Sequence, residues 1–276
     1  MLFRSGGYYH LNDFQTVRLA YSHSRYTSKI KDFLFKNIKW VSPQNTYYVG
    51  NHFTMTWTYD KIAHGPSASI NPYAGRRIEV KYNREYNDFF SDFATNNDYG
   101  TLQEIYSPYN YNRVEMNWHE YWPMPWSMKH ALTLHLQAGY VDKPIDSFFN
   151  FFAGGLPGLR GYPFYSIEGR KMVVGRFTYR FPLLGFTQKR LLHLTSDRVY
   201  LAGFVDYGNA FDGPVEWNAF KTDLGINLRL SAFSFYGFPT ALSLEAAYGL
   251  DTVYNQNVRY GKEWRYYATL LFDFID

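Results

Sequence analysis

Large apolar residues alternate with polar ones along almost the whole chain, and this period of two limits the fold more than any other feature. In Phe53-Thr54-Met55-Thr56-Trp57-Thr58-Tyr59 the rings and the thioether take every second place and threonine fills the gaps. Leu132-Thr133-Leu134-His135-Leu136-Gln137-Ala138 repeats the pattern, as does Val173-Val174-Gly175-Arg176-Phe177-Thr178-Tyr179-Arg180-Phe181. Side chains in a strand point alternately to its two faces, so each segment has one greasy face and one polar face. Such segments lie near 15–26, 47–61, 75–87, 110–121, 130–142, 171–183, 197–207, 221–232, 241–250 and 263–275, with a weaker one at 2–10. Ten or eleven strands are therefore expected.

Each segment is close to the roughly 9 to 11 residues of a tilted strand crossing a bilayer. Apolar residues make up 46% of the chain, yet mean hydropathy is −0.39, so they are diluted rather than gathered into runs. No stretch approaches the roughly 20 apolar residues of a membrane helix, which excludes a helical membrane protein. The 27 Tyr, 24 Phe and 7 Trp are far more rings than a soluble core uses. Tyr and Trp suit places that are apolar at one end and wet at the other, as in the aromatic girdles of membrane barrels. Connections alternate too: Trp122-Pro123-Met124-Pro125-Trp126 is tight, whereas 88–109 and 143–170 are long. If the last strand ends in the periplasm, the outer loops are 27–46, 88–109, 143–170, 208–220 and 251–262. The expected fold is all-β, an antiparallel transmembrane barrel formed by residues 1–276 as one domain. A soluble sandwich or lipocalin-like barrel alternates in the same way and stays open at this point.

The absence of cysteine removes disulfides and thiolate metal sites. A net charge of +4 is too small to argue for nucleic acid. Leu2-Phe3-Arg4-Ser5-Gly6-Gly7 lacks the apolar centre of a signal peptide, so a processed or truncated N-terminus is expected. The eight histidines form no metal-binding spacing, and no Gly-x-Ser-x-Gly elbow is present. His135 with Thr133 is too poor a pair to suggest a barrel lipase. The Gly154-Gly155-x-x-Gly158 run opens no helix, which argues against a phosphate cradle. No enzyme, cofactor or metal is expected.

Between two strong strands lies Phe148-Phe149-Asn150-Phe151-Phe152-Ala153-Gly154-Gly155-Leu156-Pro157-Gly158-Leu159-Arg160-Gly161-Tyr162. A solvated loop has little use for so many rings. It reads as a loop folded back into the lumen, its aromatics packed and Arg160 seeking a carboxylate. Further on stands Phe204-Val205-Asp206-Tyr207-Gly208. By parity Tyr200, Phe204 and Asp206 share the lumen face of their strand, and Asp223 and Glu245 fall on the lumen faces of the next two.

Here the chain resembles the outer-membrane protein 85 superfamily, which includes BamA, TamA and bacterial surface antigens. Arg160-Gly161-Tyr162 matches the tip of that family's sixth outer loop. Phe204, Asp206 and Gly208 match its Phe-x-Asp-x-Gly strand, and five strands follow the loop in both. The match covers roughly residues 130–276. It implies a barrel of sixteen strands, a contact between Arg160 and Asp206, and insertion or translocation of polypeptide at the bacterial outer membrane. It also implies partners: outer-membrane lipid, a polypeptide substrate and accessory periplasmic proteins. Asp223 and Glu245 are further expected lumen partners of Arg160. The chain departs from the family in showing fewer strands and no periplasmic domains, so missing N-terminal strands are expected. The alternatives are a passive pore and a membrane anchor for another domain.

Overall fold

The computed structural model describes residues 2–29, 33–35, 38–40, 44–63, 70–95, 102–126, 130–185, 189–235, 237–255 and 257–272. Eleven long strands dominate it. They are β1 (Leu2–Asn12), β2 (Gln15–Lys29), β3 (Gln44–Ile62), β4 (Gly75–Thr95), β5 (Leu102–Pro123), β6 (Ala131–Val141), β7 (Lys171–Leu184), β8 (Leu194–Phe211), β9 (Lys221–Ser234), β10 (Phe238–Gly249) and β11 (Trp264–Phe272). They hydrogen-bond in chain order in one sheet, with β1 and β11 at the two ends of the path. Every strand expected from the alternation is present. Residues 273–276, expected to finish the last strand, lie outside the described residues.

The chain divides into two compact units. The first holds Met1–Trp57, Lys81–Val114 and Val141–Ile145. Here Phe53, Met55, Tyr82 and Tyr86 are exposed, while Tyr48, Asn83, Glu85, Asn87 and Tyr111 are buried. Tyr48, Glu85, Asn87 and Tyr111 satisfy one another, as a dry environment demands. Tyr48 Oη donates to Asn87 Oδ1 at 2.8 Å, and Asn87 Nδ2 donates to Glu85 Oε2 at 3.1 Å. Tyr111 Oη donates to the same Glu85 oxygen at 2.5 Å, and His52 Nδ1 lies 3.5 Å from it.

Strands β4 and β5 run well beyond their expected limits, so residues 88–109 are not one long loop. β4 continues to Thr95 and β5 begins at Leu102. The extensions are held by rings: Phe89 packs on Tyr48 and Tyr109 with centroids 4.9 and 5.4 Å apart, and Phe90 meets Tyr106 at 6.4 Å. Asn and Asp in 87–98 disguise this in the sequence, because they favour turns wherever partners are lacking.

The second unit holds Thr58–Val80, Glu115–Tyr140 and Asp146–Asp276. Its alternation is sharpest in β8–β10. On β8, Tyr200, Ala202, Phe204 and Asp206 are buried, while Val205 and Tyr207 are exposed. On β9, Leu224, Ile226, Leu228 and Leu230 are exposed and Asp223, Asn227 and Ser231 are buried. The exposed face is thus the apolar one and the buried face the polar one. A water-soluble sandwich would show the reverse, so the arrangement fits a sheet whose outer face meets lipid.

Removing the Tyr111 hydroxyl should test the buried network of the first unit. Tyr111→Phe takes a donor from a buried carboxylate and should lower unfolding free energy by about 1–3 kcal/mol. The urea midpoint in detergent measures this. An unshifted midpoint would mean that the Glu85 network carries no stability.

Candidate functional site: an arginine clamp under the folded-in loop

Residues 146–170, within the connection from β6 to β7, pack around a small core shared with the sheet. Asp146 caps a short 3-10 turn, Ser147–Phe149, by accepting from the Phe148 N–H at 2.9 Å. A two-residue ribbon pairs Phe151–Phe152 with Glu168–Gly169. Between its arms the backbone folds tightly: Leu159 N donates to Ala153 O at 2.7 Å and Gly155 N to Tyr162 O at 2.8 Å. Gly155 has φ +78°, a conformation that glycine adopts without strain. Ala153, Leu159, Tyr162 and Ile167 bury themselves together with Val174 of β7 and Ala210 of β8.

The aromatic run divides rather than packing as a block. Phe151 is buried, its ring in the space a side chain at Gly139 would fill, whereas Phe148 is 80% exposed. The expectation that the whole run packs inside therefore holds only for part of it. The loop's ribbon turns Phe151 toward the sheet, while Phe148 sits on the turn before it.

This scaffold presents Arg160 to the buried face of the sheet. Arg160 Nε donates to Asp206 Oδ2 at 2.8 Å and Nη2 to Asp206 Oδ1 at 2.7 Å, a two-pronged contact. Nη1 donates to Glu245 Oε2 at 3.0 Å. The guanidinium carbon lies 3.3 Å from the centre of the Phe204 ring. Tyr267 Oη of β11 donates to the Arg160 carbonyl at 2.8 Å. One residue is therefore held by β8, β10 and β11. Burial opposes the charge on Arg160, but the Asp206 hydrogen bonds and the charges of Asp206 and Glu245 outweigh it and hold its pKa above the ordinary arginine value.

Asp223 is the correction. It does not bond the guanidinium as expected; its Oδ2 accepts the Gly161 backbone N–H at 2.9 Å. Asp206 and Glu245 take the guanidinium edges and Phe204 covers its face, so Asp223, across the ladder from Asp206, meets the next residue of the loop. That approach requires glycine. A Cβ at Gly161 would fall 2.6 Å from both Asp223 Cβ and Gly249 N. Tyr162 completes the tip: its Oη donates to Thr222 O at 2.9 Å and accepts from the Asp251 N–H at 2.9 Å. Burial pushes this phenol above its ordinary pKa, so it stays protonated. Gly208 lies in the β7–β8 ladder opposite Val174, and a Cβ there would meet Val173 O at 2.7 Å.

Two contributors lay outside the sequence argument. Tyr267 was signalled only by its parity, opposite to the exposed Tyr266. Arg176 approaches Asp206 at 3.7 Å and donates through Nη1 to the Pro157 carbonyl at 3.3 Å, a second tie between strand and loop. Among the described residues no group of His, Asp and Glu has the geometry to hold a metal ion. What the cluster does is pin a loop tip to four strands, β8 to β11.

Arg160→Ala should leave Asp206 and Glu245 buried without their cation and cost about 3–5 kcal/mol. Limited proteolysis within 153–167 and heat-modifiability on gels measure the loss. Arg160→Lys should recover only part of it, because an ammonium cannot form the two-pronged contact. Unchanged proteolysis in Arg160→Ala would contradict the clamp.

The model of the "Omp85 superfamily domain" matches residues 4–232. No curated protein matches the chain. Among solved structures it is similar to BamA from Haemophilus ducreyi lacking POTRA domains 1–3, with a TM-score of 0.63 and 13% identity. The alignment covers 98% of this chain and 54% of that one, so the chain spans about half the length of the structure it matches. At this identity the likeness establishes the fold, an antiparallel barrel of the BamA type. The family match spans most of the residues, and the chain belongs to the Omp85 superfamily.

Proposed function

We propose that this chain is an outer-membrane barrel that inserts or translocates polypeptide and carries out no covalent chemistry. The observation that carries the reading is the clamp: a loop whose core is shared with the sheet is locked by Arg160 to Asp206 and Glu245 on the polar face. A passive pore is a weaker reading, since it needs that face open and wetted, and the loop covers it. In this reading the exposed apolar faces of β9 and β10 meet lipid. Strands β1 and β11, which end the hydrogen-bonded path, are the edges on which an incoming strand would template. Strand addition needs only backbone groups on the edge, so it suits clients of varied sequence.

Two experiments test this reading. Purified protein in lipid vesicles should speed the folding of a small unfolded β-barrel client into the bilayer, relative to empty vesicles, while planar-bilayer conductance stays low. A large steady current with no effect on the client would favour the pore. Membrane placement is tested on β10, where Leu244 is 47% exposed and Ser243 is buried. Leu244→Arg should destabilise the barrel in bilayers by up to about 2–4 kcal/mol, the range for arginine on a lipid face. A neutral effect would mean that this face does not meet lipid.

A further inference from the structure

Below the clamp, the same polar face carries two more arginines that it does not use. Arg180 of β7 is 9% exposed and Arg229 of β9 is largely covered. Neither meets a carboxylate among the described residues. Both instead converge on one short stretch of chain between β3 and β4. Arg180 Nη2 donates to Pro72 O at 2.5 Å, and Arg229 Nη1 donates to Ile70 O at 3.0 Å and to Asn71 Oδ1 at 3.3 Å. Asn71, itself buried, donates through Nδ2 to Ser231 Oγ at 2.8 Å. The Arg180 guanidinium also lies over Tyr200, 5.4 Å from the ring centre.

The account of donors does not close. The Nε atoms of Arg180 and Arg229 are both buried without an acceptor. Buried cations are normally paired with anions, because neutral carbonyls repay little of the lost hydration. Here two such cations share three neutral oxygens from residues 70–72. Glu245, two residues along β10 from the ladder partner of Arg229, is already engaged by Arg160. The arrangement is a cationic cradle that holds a peptide segment through its oxygens while lacking the negative charge it could accommodate.

We propose that Arg180 and Arg229 form a binding site for an acidic stretch of polypeptide, whose carboxylates exchange for the Ile70–Pro72 oxygens. This rests on the polypeptide-handling function proposed above and names the chemistry of the segment received. The resident occupant is itself peptide, held through two main-chain carbonyls and one side-chain oxygen, which favours an extended chain over a compact anion. Charge-assisted hydrogen bonds are roughly twice as strong as neutral ones, so acidic side chains have an advantage over the resident oxygens.

The test uses the intact protein in nanodiscs and fluorescent tetraglutamate, with tetraglutamine, tetralysine and inorganic phosphate as comparisons. Saturable, salt-sensitive binding of tetraglutamate is expected, weakened about tenfold or more in Arg180→Gln and in Arg229→Gln. Because the chain has no cysteine, Asn71→Cys gives a single reporter. Its maleimide labelling should be slow alone and faster with tetraglutamate only. If the Gln variants lose heat-modifiable folding, the Asn71→Cys measurement decides by itself. Absence of saturable binding overturns the proposal, as does equal displacement by phosphate alone, which would mark a small-oxyanion site. Client folding measured on the same preparation separates the two readings. Tetraglutamate binding without client folding keeps this site and sinks the assembly function, and the reverse result keeps the assembly function and sinks this site.

Discussion

A guanidinium buried among strands must be neutralised where it stands, and that requirement organises the second unit. Arg160 arrives on a loop, but its partners sit on three strands: Asp206 on β8, Glu245 on β10 and Tyr267 on β11. None can be satisfied unless the loop is inside and the strands are in register. A slip of one residue in β8 would turn Asp206 to the outer face and bring Val205 in. The clamp thus couples the loop's position to the pairing of the strands, and each buried charge makes departure of the other costly.

Around that contact the loop is built to be stiff. Gly155 and Gly161 supply a turn and a close approach, and Leu159 and Tyr162 supply a core on either side of the arginine. Asp223 holds the Gly161 N–H, so even the main chain beside the arginine is tied to β9. The loop is thereby fixed to β8, β9, β10 and β11 at once.

Much of this was legible in the sequence because strand parity is unforgiving. Tyr200, Phe204, Asp206 and Glu245 follow from counting by two, and Arg160 from a basic residue stranded among glycines and rings. The division of labour between Asp206 and Asp223 was not legible. It depends on how deep the loop tip reaches and on which edge of the guanidinium is already taken. The reach of β4 and β5 was masked by Asn and Asp residues that look like turn formers until Tyr48 and Tyr109 supply ring contacts. The contacts of Arg229 with residues 70 and 71 span more than 150 positions and leave no local trace.

The most direct test is a double-mutant cycle on Arg160 and Asp206, using Arg160→Gln, Asp206→Asn and the pair, read as unfolding free energy in detergent. If the two side chains act as one buried unit, the double variant should be little worse than either single one, with a coupling energy toward the upper end of roughly 0.5–3 kcal/mol. Losses that simply add would contradict the clamp, because they would mean that each residue stabilises the barrel through something other than its partner.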